Sequence, residues 1–355
     1  MYKNILILNL RKIGDTIMAT SAAYLLKKAY PQAKITMLVK PLTRPIVENN
    51  PVIDEVMLYN YEHKVNLSDL KQTVNQLKEK HFDLAVVIDG KARSAVLAYL
   101  AGIPKRAGFE NITLRNIYLK IFYTDLFNIG YDAFEVQQVK NHENFINRLT
   151  GKKDKAQMVM PDVDKSGQAK VKSLLQQLPQ DKLKIALCLR SNCEFKDWPM
   201  QYFVETVQKL NEKYSASFFI VGAKNDKKFA DSFIYKADLK NVYDFCGQTT
   251  LPQLGYLLKQ ADFMLSVDTG TAHIAASQHT PEVVIFAGTS HKHWAPYGSC
   301  VDVVYPNIPC YPCSDKMRRQ CRKKADRYDC LNKVYVQDVI DKCSAKLDKL
   351  EEKYV

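Results

Sequence analysis

The sequence lacks any apolar stretch long enough to cross a bilayer. None of its runs approaches the roughly 18 apolar residues of a membrane span. The first run, 5–10, is also too short for a secretory signal and has no small-residue cleavage site after it. We therefore expect a cytoplasmic protein that is peripheral to the inner membrane face.

Several nucleotide-binding and catalytic signatures are missing as well. No GxGxxG fingerprint of nicotinamide or flavin dinucleotides follows the first strand pattern, and there is no Walker A sequence. The HExxH motif and the GxSxG nucleophile elbow are also absent. The missing motifs exclude these classes of enzyme and narrow the possible ligands to nucleotides that a protein binds without a glycine-rich loop.

The charge balance is strongly positive, with 51 Lys and Arg against 38 Asp and Glu and a net charge of +13. This excess favours an anionic partner: nucleic acid, a phosphorylated lipid surface or a phosphorylated small molecule. A merely soluble basic surface explains the same composition. The length of 355 residues favours two domains, at about 100–200 residues each.

Short apolar runs alternate with helical patterns along the chain. Runs 5–8 and 84–88 are typical of buried parallel strands, and the spacing within 67–80 is helical. The alternation stops at a polar stretch, 150–166, which reads as a linker, and then restarts. The pattern predicts two α/β domains with doubly wound, Rossmann-like sheets that face a central crevice.

The predicted bounds are 1–160 for the N-terminal domain and 161–335 for the C-terminal domain. The remaining segment, 336–355, is predicted to be a charged C-terminal helix that packs back toward the N-terminal domain.

An acid, a hydroxyl and a glycine follow the apolar run 263–267. These are Asp268, Thr269 and Gly270, with His273 one turn into the helix that they open. A helix N-terminus presents free N–H groups that suit a phosphate, and Gly270 lets a ligand approach the backbone. The alternative is a simple helix cap beside a half-buried histidine.

A second polar loop follows another apolar strand pattern. Ser191 and Asn192 offer polar donors there, and Lys196 offers a positive charge for a phosphate. The alternative is a polar loop beside a packed Trp198. Two such loops on one sheet favour an anion site over either loop alone.

A third polar segment stands at the end of the first strand. It holds Arg11, Gly14 and Asp15. Helix capping explains the acid at Asp15. The functional alternative is a carboxylate beside cations that accepts a proton from an attacking hydroxyl.

Together these residues form four ordered motifs over nearly the whole chain. The motifs are Arg11-x-x-Gly14-Asp15, Asp89-Gly90-x-x-Arg93-Ser94-Ala95, Lys196-x-Trp198-Pro199 and Ser266-x-Asp268-Thr269-Gly270-x-x-His273. In order and spacing they resemble those of the ADP-heptose:lipopolysaccharide heptosyltransferases. The resemblance implies a GT-B fold and an inverting glycosyltransferase that moves a heptose from ADP-heptose to an acidic inner-core acceptor of lipopolysaccharide.

The resemblance also implies roles for single residues. Asp15 is expected to be the catalytic base. Lys196, with Ser191 and Asn192, is expected to hold the donor diphosphate and to stabilise the leaving group, a task that other transferases give to a metal. No cofactor is therefore expected.

The remaining donor contacts follow in the same way. Asp268 is expected to contact sugar hydroxyls, and Thr269, Gly270 and His273 to contact phosphate and sugar. Asp226 stands near the expected ribose position, where many relatives carry a glutamate. Asn192 replaces a small hydroxyl residue of the family, so both positions leave the donor's identity open.

The acceptor side is expected to be basic. By resemblance, the acceptor contacts are Arg11, Gly14, Arg93, Ser94, Arg106 and Arg115. The arginines suit a carboxylate or phosphate, and the alternative is a solvated basic face.

Four of the nine cysteines are clustered, namely Cys310, Cys313, Cys321 and Cys330. The first pair has the spacing of half a zinc knuckle, whereas the second pair is too widely spaced. A structural metal site, disulfides and free thiols all remain open.

Two other functions fit parts of the sequence. One is a related envelope-glycan transferase with a different nucleotide sugar. The other is a basic nucleic-acid-binding protein, which is disfavoured because the aromatic residues are not interleaved with a single basic groove.

Overall fold

A computed structural model describes residues 2–60, 67–110, 120–322 and 327–351. The chain divides into two compact units, Met1–Asp162 and Val163–Val355. The division falls close to the predicted boundary between 160 and 161.

The described strands of the first unit form a six-stranded parallel sheet in the order β3-β2-β1-β4-β5-β6. They are β1 (Asn4–Asn9), β2 (Lys34–Val39), β3 (Glu55–Leu58), β4 (Leu84–Val87), β5 (Lys105–Phe109) and β6 (Asp125–Phe127). The central strand β1 pairs Ile5 with Ile35 on one side and with Leu84 on the other. Helices cover both faces, so β1 and β4 are buried along nearly their whole length and read as continuous apolar runs.

The helices of the first unit follow the strands. They are α1 (Ile13–Ala29), α2 (Arg44–Val47), α3 (Leu67–Glu79), α4 (Ala92–Leu100) and α5 (Gln138–Thr150). Helix α1 packs against α5, and it is buried almost all round from Thr16 to Ala23. This sandwiched position explains why α1 has no polar stripe.

The predicted linker at 150–166 is largely ordered against the first unit. Ala156, Met158 and Met160 are buried, and the Val159 N–H donates to Thr20 Oγ1 on α1 at 2.9 Å. The next helix already begins at Lys165, where the Asp164 side chain caps it. The polar composition predicted a free linker, but the alternate apolar side chains Ala156, Met158 and Met160 are buried.

The described strands of the second unit repeat the order of the first, as β9-β8-β7-β10-β11-β12, again all parallel. They are β7 (Leu183–Cys188), β8 (Ala216–Ile220), β9 (Val242–Asp244), β10 (Phe263–Val267), β11 (Glu282–Ile285) and β12 (Val301–Val304). Two doubly wound, Rossmann-like sheets are thus confirmed.

The helices of the second unit surround this sheet. They are α6 (Lys165–Leu175), α7 (Met200–Lys213), α8 (Lys227–Ala237), α9 (Leu251–Lys259), α10 (Gly270–Ser277), α11 (His291–Trp294), α12 (Asp315–Cys321) and α13 (Val336–Glu351). Trp198, just before α7, is 1% exposed; its Nε1–H donates to the Val334 carbonyl at 3.1 Å, and its ring meets Phe203 edge to face. Trp294 lies in α11 and packs beside Phe286.

The C-terminal helix α13 packs within the second unit, which corrects the prediction that it returns to the N-terminal domain. Its side chains Val339, Cys343 and Leu347 are fully buried in the core that contains β7, β8 and β10. Asp348 of the same helix accepts hydrogen bonds from Lys213 and Tyr214. The apolar stripe was hidden in the sequence by the many charges on the outer face.

The order in which successive strands are added reverses at one point in each sheet. In the first unit this switch point lies between β1 and β4, and in the second between β7 and β10. Loops on either side of a switch point run to opposite faces and leave a crevice at the carboxyl ends of the strands, where ligands of open α/β sheets bind. Asp15 and Asp89 follow the first pair of strands, and Lys196 and Asp268 follow the second.

Within the described residues, the structure contains no helix whose length and apolarity would let it span a bilayer.

Glu282, on β11, is a buried acid without a hydrogen-bond partner in the described part of the chain. Burial raises its pKa well above the usual value, and Lys346 opposes this only in part. Because the pKa of Glu282 is higher in the folded state than in the unfolded state, the stability that its protonated carboxyl contributes is complete below about pH 4.5. This stability is lost as the pH rises toward the folded-state pKa.

We expect Glu282→Gln to stabilise the protein more at pH 8 than at pH 5, since glutamine carries no charge to bury. Each tenfold change in the acidity constant corresponds to about 1.4 kcal/mol. Urea unfolding at both pH values measures the effect, and Glu205→Gln on the exposed side of α7 is the control. An equal effect of Glu282→Gln at both pH values would contradict the expectation.

Candidate active site

Asp15 lies in the first turn of α1, at the switch point of the first sheet. Its Oδ1 accepts the Arg11 Nε–H at 2.8 Å, and the two side chains are 21% and 27% exposed. No side chain caps this helix, so its N-terminal N–H groups and Arg11 both favour a negative charge at Asp15. The carboxylate is held in one place and remains accessible.

Asp89 ties the two strands of the switch point together. Its carboxylate accepts hydrogen bonds from Leu10 N at 2.9 Å, Lys91 N at 2.9 Å and Ser94 Oγ at 2.7 Å. Burial raises the pKa of Asp89, while these three bonds and the Arg11 charge oppose the rise. Ser94 is fully buried and is used to hold Asp89, rather than lying open to an acceptor as the sequence predicted.

A polar cavity of about 80 Å³ lies beside Asp15; we call it the Asp15 pocket. It is lined by residues from the ends of β1, β4 and β5 and from α5, namely Asn9, Arg11, Asp15, Ile88, Asp89, Gly90, Lys91, Phe109, Tyr131, Gln138 and His142. Nearly all of the lining surface is polar, which suits a hydroxylated or ionic ligand. A hydroxyl that enters this pocket can meet Asp15 as a proton acceptor.

His142 forms the inner wall of the Asp15 pocket. Its Nδ1 lies 3.1 Å from the Met18 carbonyl, and its Nε2 lies 3.0 Å from Gln138 Nε2. A carbonyl only accepts, so Nδ1 carries the proton and Nε2 accepts from the Gln138 amide. The His142–Met18 hydrogen bond therefore joins α5 to α1, the helix that carries Asp15.

The other predicted acceptor residues have mixed positions. Gly14 is half-buried in the first turn of α1, and Arg93 is half-buried in the first turn of α4. Arg106 donates to the carbonyls of Phe122 and Ile103 at 2.8 and 2.6 Å, so much of its guanidinium holds the backbone. Arg115 lies outside the described residues.

Lys196 and Asp268 meet at the switch point of the second sheet. The Lys196 Nζ lies 2.6 Å from Asp268 Oδ2, and the same oxygen accepts from Thr289 Oγ1 at 2.6 Å. Asp268 is 4% exposed, whereas the Lys196 side chain is 20% exposed. The carboxylate is thus almost removed from water, whereas the Lys196 side chain is still partly exposed.

The loop between β10 and α10 leaves a helix N-terminus open. Thr269 is the N-cap residue, but its side chain makes no capping hydrogen bond. Asp268 binds Lys196 and Thr289 instead. The simple cap that the sequence left open is therefore not formed. Within the described residues no N-cap side chain binds the first N–H groups of α10, which begin at Gly270 and suit an anion.

His273 is buried one turn into α10, at 4% exposure. It lies on the helix that begins at the Asp268 loop, as the sequence predicted. Its burial makes it a wall of that region rather than a surface group.

Ser191 is tied to an aspartate that the sequence analysis did not single out. The Ser191 N–H donates to Asp197 Oδ1 at 2.7 Å, and its hydroxyl lies 2.8 Å from the same oxygen. Asp197 also pairs with Arg190 at 3.4 Å. This bonding fixes the loop that carries Lys196, while Asn192 lies exposed at its tip.

Asp226 holds the loop after β8. Its Oδ2 accepts the Ala223 N–H at 2.8 Å. A Cβ at Gly222 would lie 2.9 Å from that oxygen, so the glycine makes this close turn possible. The structure therefore gives Asp226 a local role, and its ribose contact stays a prediction.

No disulfide joins the clustered cysteines in the structure. None of the nine cysteines forms a disulfide, and within the described ranges no group of three or more potential ligands is arranged to hold a metal ion. The four nevertheless lie near one another. Burial raises the pKa of Cys330 to about 11, and the nearby thiols of Cys310, Cys321 and Cys313 add to the rise. Among the described residues the structure therefore shows neither a disulfide nor a metal-binding arrangement at these four cysteines.

Sequence reasoning missed partners rather than positions. Asp197 and Thr289 each complete a contact of a predicted residue, and Asp89 was noted only as part of a motif. Asp268 follows β10, and Thr289 follows the neighbouring strand β11. A polar residue after each of two neighbouring strands was therefore the sequence pattern that could have predicted this contact.

The comparisons with known proteins agree on one family. A family profile described as glycosyltransferase family 9 (heptosyltransferase) matches residues 71–324. Lipopolysaccharide heptosyltransferase 3 of Escherichia coli is 23% identical over 351 residues, which cover 95% of this chain and 96% of that protein. Lipopolysaccharide heptosyltransferase 2 of Salmonella typhimurium is 23% identical over 298 residues, covering 81% and 83%.

Solved structures share the fold over nearly the full length. A glycosyltransferase family 9 protein of Veillonella parvula has a TM-score of 0.85 at 18% identity, with 98% of each chain covered. The E. coli ADP-heptose lipopolysaccharide heptosyltransferase II has a TM-score of 0.74 at 20% identity, covering 98% and 99%. The E. coli heptosyltransferase WaaC, solved with ADP, has a TM-score of 0.73 at 19% identity, covering 97% and 99%. The predicted GT-B fold is therefore confirmed.

Proposed function

We propose that this chain, which belongs to glycosyltransferase family 9 (heptosyltransferase), transfers a heptose from ADP-heptose to an acidic acceptor of the lipopolysaccharide inner core. The chain is a heptosyltransferase-like glycosyltransferase; the donor, the acceptor and the inverting mechanism are the proposed part. One observation carries the proposal: the Lys196 ammonium is held on the buried Asp268 carboxylate beside the open N-terminus of α10.

The donor diphosphate is proposed to bind at that ammonium. The N–H groups at the start of α10 contribute further donors and a partial positive charge. As the sugar leaves, negative charge grows on the departing phosphate, and Lys196 stabilises it without a metal cofactor. That WaaC was solved with ADP supports a nucleoside diphosphate as the ligand.

Asp15 is proposed to act as the general base. It accepts the proton of the acceptor hydroxyl, whose oxygen then attacks the anomeric carbon from the face opposite the diphosphate, so the configuration inverts. Arg11 keeps the carboxylate oriented through its 2.8 Å bond to Oδ1. Asp89 holds Leu10, and with it the segment that carries Arg11.

The acceptor is proposed to be anionic. The net charge of +13 and the cations Arg11 and Lys91, which line the Asp15 pocket, suit a carboxylate or phosphate. Such an acceptor is anchored in lipid, so the enzyme is proposed to work in the cytoplasm at the inner membrane face. The same basic charge serves there as a contact to anionic lipid.

A second candidate is transfer of a different sugar to another envelope glycan. Asn192 and Asp226 favour it, since both depart from the residues usual in the family. A nucleic-acid-binding function has no such support, and filter binding without salt-dependent affinity would dismiss it.

Isothermal titration calorimetry separates the donor candidates. We expect ADP-heptose to bind more tightly than nucleotide sugars with another base or another sugar, and transfer assays to follow the same order. Tighter binding of a different nucleotide sugar would replace ADP-heptose with that donor and would favour the second candidate.

A further inference from the structure

Three aromatic rings lie in the segments that follow β11 and β12; we call them the aromatic stack. They are His291, Tyr305 and Tyr311. The His291 and Tyr305 rings are stacked, with centroids 3.8 Å apart and planes 10° apart. Tyr311 is parallel to both, at 4° to His291 and 12° to Tyr305. No other part of the proposed mechanism uses these rings.

Hydrogen bonds join two members of the aromatic stack, His291 and Tyr311. The Tyr311 hydroxyl accepts the His291 N–H at 3.2 Å and lies 2.8 Å from His291 Nδ1. The hydroxyl thus contacts both the backbone and the ring of His291, which holds the two rings side by side. Tyr305 lies over this flat pair and is 45% exposed, so it offers an aromatic surface to a ligand.

The aromatic stack is joined to the Lys196–Asp268 pair. Thr289, two residues before His291, donates to Asp268 at 2.6 Å. Asp268 is also near enough to contribute to the raised pKa of the Tyr311 phenol, after the larger effect of burial. The stack therefore borders the site where the diphosphate is proposed to bind.

The strand order gives the donor a direction. The loops meet in the order β8, β7, β10, β11, β12 along the carboxyl edge of the sheet. Neighbouring strands are about 4.8 Å apart, so this edge is about 19 Å long. A nucleoside diphosphate sugar is a linear molecule: with its ribose at the β8 loop of Asp226 and its diphosphate at β7 and β10, its sugar lies toward β11 and β12.

We infer that the aromatic stack of His291, Tyr305 and Tyr311 is the sugar subsite of the donor, in which the exposed ring of Tyr305 packs against the C–H face of the transferred pyranose. This inference rests on the proposed function and adds the side of the sheet where the sugar lies. A rigid ring face selects sugars by the face that carries their axial C–H bonds. Tyr305 thereby becomes a specificity-determining residue.

Calorimetry of Tyr305→Ala with a nucleotide sugar and with the matching free nucleotide tests the inference. We expect the variant to bind ADP-heptose about tenfold more weakly than the wild type, the scale of one aromatic contact. Binding of ADP should stay within about twofold, because ADP has no sugar to place on Tyr305. Unchanged ADP binding also shows that the variant is folded.

Two further variants sharpen the result. Tyr305→Phe keeps the ring and is expected to bind both ligands as the wild type does, and Tyr235→Ala removes a tyrosine that is 86% exposed on α8 as a control. Equal weakening of ADP and ADP-heptose by Tyr305→Ala would place the base, not the sugar, on the stack and overturn the inference. An equal loss in Tyr305→Phe and Tyr305→Ala would also overturn it, because the ring face would then contribute nothing.

Failure of the proposed donor is distinguishable from failure of this inference. If the wild type prefers another nucleotide sugar, the donor assignment falls. The ratio between that nucleotide sugar and its own free nucleotide then measures the effect of Tyr305→Ala in the same way.

Discussion

Replacing Asp15 by asparagine is expected to lower the turnover number by about 10²–10⁴-fold, the usual contribution of a general base. Asparagine keeps the size of the side chain and an oxygen that can accept the Arg11 Nε–H, so the loop before α1 should survive. It cannot take a proton from the acceptor hydroxyl. Release of the nucleoside diphosphate, followed under saturating donor and acceptor, measures the loss.

Donor binding provides the internal control for Asp15→Asn. Calorimetry should give the wild-type affinity for ADP-heptose, since the diphosphate is proposed to bind at Lys196 in the other unit. Asp69→Asn removes the same charge from the exposed side of α3 and should turn over normally. Near-normal turnover of Asp15→Asn would show that Asp15 is not the general base.

Lys196→Met is expected to lower kcat/KM by about 10²–10³-fold, the cost of one donor to a developing negative charge. Its physical basis is twofold. The departing phosphate loses its cation, and the buried Asp268 carboxylate, then held by Thr289 alone, repels the diphosphate. Both the donor affinity and the turnover number should therefore fall.

A double variant separates the role of Lys196 in folding from its role in transfer. Lys196→Met alone should also unfold more easily, because it leaves a carboxylate buried without its cation. Adding Asp268→Asn should restore much of the stability and none of the transfer activity. Lys209→Met, on the exposed side of α7, is the charge control. Recovery of transfer along with stability would show that Lys196 is only a structural partner of Asp268.

The strands that the sequence predicted best are those buried on both faces. Runs such as 263–267 carry only apolar or small residues, and the structure places β10 at those bounds. Strand β5 was hidden because Lys105 and Arg106 made it look like a basic loop. Its Gly108 has a tertiary reason: a Cβ there would lie 2.4 Å from the Tyr123 ring, so only glycine admits this ring.

The sequence predicted where the residues of the candidate site stand along the chain, but it did not predict which side chains they contact. Polar residues after strands mark the carboxyl edge of a parallel sheet, and this rule located Asp15, Lys196 and Asp268. It did not reveal that Ser94 donates to Asp89 or that Thr289 donates to Asp268. Ser94 lies inside α4 rather than directly after a strand, and Thr289 follows a different strand from Asp268. Arg106 shows the opposite error: its charge suggested a ligand, but backbone carbonyls already bind it.

The chain's two tryptophans, Trp198 and Trp294, both belong to the second unit. Trp198 stands two residues after Lys196, and Trp294 stands three after His291 of the aromatic stack. Indole fluorescence of the unlabelled protein therefore originates in the second unit, which carries the proposed donor site. Titration with a nucleotide should change the emission directly, whereas a ligand confined to the Asp15 pocket has no indole in its own unit to perturb.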